Sequence, residues 1–208
     1  MDHAFYDVHS LTTVSFGKSI QSIGTHSFRD SSIVYLNLPS SLTSISSSAF
    51  YSCSKLINVT IPSSVKTIGS SAFESCTSLQ YVEWPVSITS TNSEIFSGCT
   101  KLKTIKIYGN GNMINYSSSN VPWYNIRTYI GNIIIEHGVK SIGNYAFYET
   151  IITSITIPSN VNFIGEYAFA SCNSLISVYF EQGTKLTTIG SYIFYSCSNL
   201  TFSNFKHK

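Results

Sequence analysis

A phenylalanine returns at an almost fixed interval along this chain: Phe5, Phe28, Phe50, Phe73, Phe96, Phe147, Phe169 and Phe194. The successive spacings are 23, 22, 23, 23, 51, 22 and 25 residues. A period of this size restricts the fold more than any composition does. A unit this short cannot bury its own apolar face and must stack on copies of itself. Six spacings lie near one period, and the gap of 51 is an interruption holding a partial rung.

Each rung carries the same internal order. Six residues after the anchor comes an apolar residue: Leu11, Leu56, Leu79, Leu102, Leu175 or Leu200. Two rungs are one residue shorter here, and Ile33 and Ile152 take that role. An alternating pair follows: Val14/Phe16, Leu36/Leu38, Val59/Ile61, Val82/Trp84, Ile105/Ile107, Ile155/Ile157 and Val178/Phe180. Alternation of β-branched and aromatic residues predicts a short strand with one buried face. Pro39, Pro62, Pro85 and Pro158 come next, and proline, lacking an amide donor, marks where pairing stops. A second apolar step, Val65-x-x-Ile68-Gly69, recurs as Val139-x-x-Ile142-Gly143 and Val161-x-x-Ile164-Gly165. Its glycine is expected to supply a turn at positive φ. The Ala-Phe pair then brings the chain back to its start through a tight turn or 3₁₀ segment. No apolar stripe is long enough to predict a standard helix.

These pieces, Leu-x-x-Val-x-Ile-Pro, Val-x-x-Ile-Gly and Ala-Phe-x-x-Cys, resemble the BspA-type (treponemal-like) leucine-rich repeats over nearly the whole chain. The segment Val121-Pro122-Trp123-Tyr124, followed by the run from Ile133 to Gly143, also looks like a section found between arrays in that family. The resemblance implies a mainly β repeat solenoid. Its form is a leucine-rich-repeat arch with a concave parallel sheet, a turn or 3₁₀ convex side, and few or no long helices. It also implies a cell-surface or secreted protein used in adhesion, with a host or matrix protein as partner. The expected organisation is an array over 1–107, an insertion or inter-array segment over 108–131, and an array over 132–208 continuing the same solenoid.

Composition narrows the partners. Twelve basic and ten acidic residues leave a net charge of +2 without runs, which argues against a phosphate-binding stripe and hence against nucleic acid. The longest apolar run, near Ile133–Ile135, falls far short of the ~20 residues of a membrane span. Met1–Phe5 show no signal-peptide core and enter the repeat halfway, leaving open a fragment, a cytosolic protein or export by another route. The first rung lacks a cap, which points to end-to-end homodimerisation or to upstream rungs. The stretch from Leu200 to Phe205 departs from the pattern and reads as a modest cap.

Cys53, Cys76, Cys99, Cys172 and Cys197 each lie three residues after an anchor, where Val8, Ser31 and Thr150 stand in other rungs. One cysteine per rung makes a line, not the convergent tetrahedron of a zinc site. Small, buried, reduced thiols are expected. In the interruption, Tyr108-Gly109-Asn110-Gly111-Asn112 predicts a tight turn, and Trp123 and Tyr124 are expected to plug the gap where the array restarts. None of the five histidines has metal-ligand spacing, and His26 falls at an outward position. Glu83 and Glu181 lie about four rungs apart, too far for an acid pair. The sequence therefore predicts no catalytic, cofactor-binding or metal-binding residue, and no enzyme.

Strand alternation places two columns on the outward face. One reads Thr13, Tyr35, Asn58, Tyr81, Thr104, Asn132, Ser154 and Ser177; the other reads Ser15, Asn37, Thr60, Glu83, Lys106, Ile134, Thr156 and Tyr179. The candidate binding residues are Tyr35, Asn37, Asn58, Thr60, Tyr81, Glu83, Lys106, Ile134, Thr156 and Tyr179. Tyr35, Tyr81 and Tyr179 lead, since tyrosine combines contact area with a hydrogen-bonding tip. Glu83 is expected to pair with Lys106. Ile134 is expected either to lie under the Trp123-Tyr124 segment or to be free for a partner.

Overall fold

The computed structural model describes residues 2–201 and the backbone of Phe205–His207. The chain winds as a parallel β-solenoid. One side is a six-stranded parallel sheet of Thr13–Ser15, Tyr35–Asn37, Asn58–Thr60, Tyr81–Pro85, Thr104–Tyr108 and Asn132–Ile135, in that spatial order. The same side of the later rungs forms a separate sheet of Ser154–Ile157, Ser177–Phe180 and Phe205–His207. The Val-x-x-Ile steps pair along another side. Ser22–Ile23, Ser44–Ile45 and Thr67–Ile68 form one short sheet; Gly111–Asn112, Val139–Ile142, Phe163–Ile164 and Thr188–Ile189 form the next. Each line of pairing is interrupted once, at different rungs, so the continuous sheet on one side spans the break on the other. The helical content among the described residues is one 3₁₀ turn, Tyr124–Tyr129.

Pro39, Pro62 and Pro158 lie just beyond their strands as expected, but Pro85 is the last residue of its strand, opposite Tyr108. The expected cap runs through Phe202, Ser203 and Asn204, which lie outside the described residues.

The rings stack in register. Phe5, Phe28, Phe50, Phe73 and Phe96 follow at centroid separations of 5.2, 5.3, 5.2 and 5.7 Å. Phe147, Phe169 and Phe194 continue at 5.4 and 5.7 Å. Trp123 fills the place left by the gap. It is buried, stacks on Phe147 at 5.9 Å and 10°, and donates Nε1–H to the Ala146 carbonyl at 2.8 Å. Trp84 crosses edge-on between Phe96 and Trp123, at 5.8 and 5.9 Å. Burying each such ring contributes on the order of 1.5–3 kcal/mol before entropy is counted.

The turn that carries each ring, apart from that of Phe96, alternates between right- and left-handed backbone. Positive φ recurs two residues before the ring, at His26, Ser48 and Tyr145 (φ 54°) and Ser71 (φ 58°). It recurs two residues after the ring, at Asp30 (φ 61°), Ser52 (φ 58°) and Glu149 (φ 57°). The alternation turns every second amide along the solenoid axis. Thus Ser48, Phe50 and Ser52 donate to Ser70, Ala72 and Glu74 of the next rung at 2.9, 2.8 and 2.7 Å. The intervening amides of Ala49, Tyr51 and Cys53 close local turns onto Ser46, Ser48 and Phe50. These hydrogen bonds offset a left-handed cost of about 1–2 kcal/mol per residue.

The glycine expectation is corrected here. Gly69, Gly143 and Gly165 do not have positive φ. They are glycine because neighbouring rungs touch there. A Cβ on Gly69 would overlap the Ser47 amide nitrogen, one on Gly143 the Ile114 carbonyl oxygen, and one on Gly165 the Asn144 amide nitrogen.

All five cysteines are buried and unbridged. Each thiol donates to the ring-residue carbonyl of the preceding rung: Cys53 to Phe28, Cys76 to Phe50, Cys99 to Phe73, Cys172 to Phe147 and Cys197 to Phe169, at 3.0–3.3 Å. Ser31 and Thr150 stand at the same place in their rungs, each with its hydroxyl 3.3 Å from the next thiol. Burial between neighbouring thiols pushes the Cys76 pKa well up, away from the reactive thiolate. A disulfide reagent should find no reactive thiol in the native protein and all five after denaturation in non-reducing buffer. Fewer than five would mean bridges that this stacking excludes.

Candidate functional site

The outward face of the six-stranded sheet brings together eight of the ten residues expected there. Its strands align so that Thr13, Tyr35, Asn58, Tyr81, Thr104 and Asn132 form one file. Thr60, Glu83, Lys106 and Ile134 form part of a second, with Asn37 in its own strand beside Ser15. The alternation that buries Leu36, Val59 and Val82 leaves these residues outside. Thr156 and Tyr179 pair with each other on the separate later sheet, since Asn132–Ile135 and Ser154–Ile157 are not hydrogen-bonded neighbours.

The residues differ in how much they offer. Tyr35 stands 68% exposed, the most open of the large residues on this face. Asn37, Asn58 and Thr60 surround it as small polar neighbours and line a shallow depression with it. A second depression, lined by Asn58, Gln80, Tyr81, Lys103 and Thr104, adjoins the first at Asn58. Ile134 is 41% exposed, so Trp123 does not cover it; that ring has gone into the core instead.

At the centre lies a charged network. Lys106 Nζ is 3.4 Å from Glu83 Oε1, the expected pair, but only 2.6 Å from Glu136 Oε1, a carboxylate that strand alternation did not single out. The hydrogen bond that Lys106 donates to Glu136 and the charge of both carboxylates raise the lysine's pKa. Tyr81 donates its hydroxyl to Glu83 Oε1 at 2.9 Å. One cation against two carboxylates leaves the centre acidic. Exposed ion pairs contribute about 0–1 kcal/mol each, so the network fixes side-chain positions more than it stabilises the fold.

Tyr81 has a titration that reports on this network. Partial burial and the Glu83 hydrogen bond push its pKa up to about 12. The shift is upward, so the associated stability is complete below the ordinary phenol value of 10.0 and is lost as pH rises through about 12. Glu83→Gln should bring the transition down toward 10.0, followed by the ring-carbon chemical shift of Tyr81. An unchanged midpoint would show that Glu83 does not hold the phenol.

His26 is half-buried, not simply outward: it stacks on His3 at 5.0 Å, with Nδ1 enclosed. Among the described residues no three His, Cys, Asp or Glu side chains converge as a metal site. Among them, too, no helix is long and apolar enough to cross a membrane.

The family model described as "BspA type Leucine rich repeat region" matches in six copies, over residues 1–120 and 123–208. A leucine-rich repeat protein from Bacteroides ovatus is 25% identical in solved structure, covering 96% of this chain and 62% of that one, with a TM-score of 0.56. The chain thus spans less than two thirds of that relative's length. A leucine-rich repeat protein from T. pallidum is 23% identical, covering 98% of this chain and 71% of that one, with a TM-score of 0.46. A leucine-rich cell surface protein from Faecalibacterium prausnitzii is 19% identical, covering 99% and 62%, with a TM-score of 0.43. No curated protein matches the chain.

Proposed function

The chain belongs to the BspA-type leucine-rich repeat family, and from that premise and the geometry of the sheet we propose that it is a non-enzymatic protein-binding module. Its contact surface is the outward face of the six-stranded sheet. The observation that carries this reading is the in-register file of Tyr35, Asn58 and Tyr81 beside Thr60, Glu83, Lys106 and Ile134. A rigid scaffold presents two tyrosines, small hydrogen-bonding groups, an acidic centre and an open isoleucine, the mixture that gives specific contact at low entropy cost. Thr156 and Tyr179 extend the surface onto the later sheet. The finer reading is an adhesin-type protein, at the cell surface or secreted, whose partner is a host or matrix protein; this is what the family resemblance implies.

A second reading is a spacer or assembly block that associates end to end. Its basis is the apolar recess lined by Ala4, Phe5, Val14, Phe16, Ile20 and Phe28, against which a further rung or a second copy would pack. One experiment separates the two. Purified matrix and cell-surface proteins are titrated against the chain and against a Tyr35→Ala/Tyr81→Ala/Tyr179→Ala variant, with sedimentation of both. Partner binding lost at unchanged thermal stability supports the sheet face. Binding by both forms alike, or self-association as the only interaction, supports the second reading.

A further inference from the structure

Beyond each sheet strand the chain turns toward the Val-x-x-Ile step, and the residues on either side of the first apolar residue of that step lie at the surface. In the early rungs these are Ser41 and Thr43, Ser64 and Lys66, and Ser87 and Thr89. In the later rungs they are Gly138 and Lys140, Asn160 and Asn162, and Lys185 and Thr187. The later turns are thus richer in amides and ammonium groups. Backbone hydrogen bonds hold them in line: the Asn162 amide donates to the Lys140 carbonyl, and the Lys185 amide to the Ser159 carbonyl, each at 2.9 Å. With strands ~4.8 Å apart, Lys140 and Lys185 stand two rungs, about 10 Å, from each other along the axis.

These turns surround an open depression of about 480 Å³, lined by the side chains of Asn110, His137, Lys140, Asn160, Asn162 and Lys185. Gly138 adds bare backbone between Asn110 and Asn160. The size falls within the roughly 300–1,000 Å³ of ordinary ligand sites, but this lining holds no apolar side chain. Asn160 is fixed within it: Nδ2 donates to the His137 carbonyl at 2.6 Å, and Oδ1 accepts from Lys185 Nζ at 3.4 Å. Two lysines and no carboxylate line the depression. The carboxylates beside these turns are engaged. Glu136 holds Lys106 at 2.6 Å; Glu181 accepts from the Ser159 amide at 3.0 Å and lies 3.3 Å from His137 Nδ1. The sequence carries no basic run here, and it is the winding that gathers lysines from separate rungs.

We propose that this depression binds an acidic polysaccharide, a chain of uronate or sulfated sugars lying along the solenoid axis. Successive oxyanions meet Lys140 and Lys185. Sugar hydroxyls meet the amides of Asn110 and Asn162, which both donate and accept. Two cations spaced along the axis suit a polymer of repeated charge better than one compact ion. Phosphate recognition favours the arginine fork or a backbone nest, and no arginine lines this site. Single-stranded nucleic acid calls for stacking platforms as well as charge, and no tyrosine, tryptophan or phenylalanine is present in the lining. The depression lies beyond the sheet face, so the site stands whether or not that face binds protein.

The test is a titration of the full chain followed by the backbone NMR signals of Gly138, Asn160 and Asn162. The probes are a uronate hexasaccharide without sulfate, a sulfated hexasaccharide without uronate, a neutral hexasaccharide, inorganic sulfate and a single-stranded oligonucleotide. An acidic hexasaccharide should move these signals and the neutral one should not; the tighter of the two acidic probes identifies the oxyanion. Lys140→Ala/Lys185→Ala should weaken binding about tenfold at an unchanged thermal midpoint, the value of two exposed ion pairs. Lys66→Ala, at the equivalent place in an early rung, should bind as wild type does. Asn162→Ala should weaken the hexasaccharide and leave the response to inorganic sulfate as it was. Three results would overturn the proposal: no movement with either acidic hexasaccharide, an affinity for inorganic sulfate or the oligonucleotide equal to theirs, or undiminished binding by the folded double variant.

Discussion

Trp123→Ala is expected to lower the unfolding free energy by about 3–5 kcal/mol, the largest loss from any single substitution in the interruption. Three contributions combine. A fully buried indole is removed; its stacking on Phe147 and edge contacts with Trp84 and Tyr116 disappear; and the Ala146 carbonyl loses its donor. Trp123→Phe keeps a ring in the stack while losing the donor and part of the volume, and should cost about 1–2 kcal/mol. Chemical denaturation of the three forms measures this. A Trp123→Ala protein within 1 kcal/mol of wild type would show that the indole merely covers a loop.

Gly69→Ala is expected to cost about 3 kcal/mol, at the top of the usual overpacking range. The added Cβ would overlap the Ser47 backbone, which cannot yield as a side chain would, and Gly69 itself is pinned by its amide bond to the Ile45 carbonyl at 2.8 Å. Gly131→Ala is the contrast. Nothing lies within 4 Å of its Cβ position, and stability should change by no more than about 1 kcal/mol. Gly69→Asn separates the causes. Asparagine tolerates left-handed backbone, so a demand for positive φ would spare it; contact between rungs should make it at least as damaging as alanine. Equal thermal midpoints for Gly69→Ala and Gly131→Ala would contradict close approach.

These two positions show where the sequence was legible and where it was not. The ring period, the strand alternation and the cysteine line could all be read directly, because each is a residue type at a fixed offset imposed by stacking. Trp123 belongs to the same stack but was harder to place. It lies 27 residues after Phe96 and 24 before Phe147, and it is a different residue type. The usual sign of left-handed backbone misled: the turns use serine, histidine, tyrosine, aspartate and glutamate at positive φ, while the repeating glycine answers a steric demand between rungs. Regular axial hydrogen bonds hold those side-chain-bearing residues in place, so glycine is not required.

Within the candidate face, alternation placed each outward residue on its strand. It could not show the missing pairing between Asn132–Ile135 and Ser154–Ile157, since both strands carry the same pattern. Nor did it single out Glu136, which follows the last residue of its strand and reaches back to Lys106.

The claim beneath all of this is one continuous line of ring contacts, carried across the long gap by two indoles, Trp84 edge-on and Trp123 stacked on Phe147. Nuclear Overhauser contacts between ring protons measure it most directly, in protein with labelled aromatic residues. The account predicts contacts from Phe50 to Phe73, Phe73 to Phe96, Trp84 to both Phe96 and Trp123, and Trp123 to Phe147. Contacts that stop at Phe96 and begin again at Phe147, with the Trp123 ring in water, would contradict it.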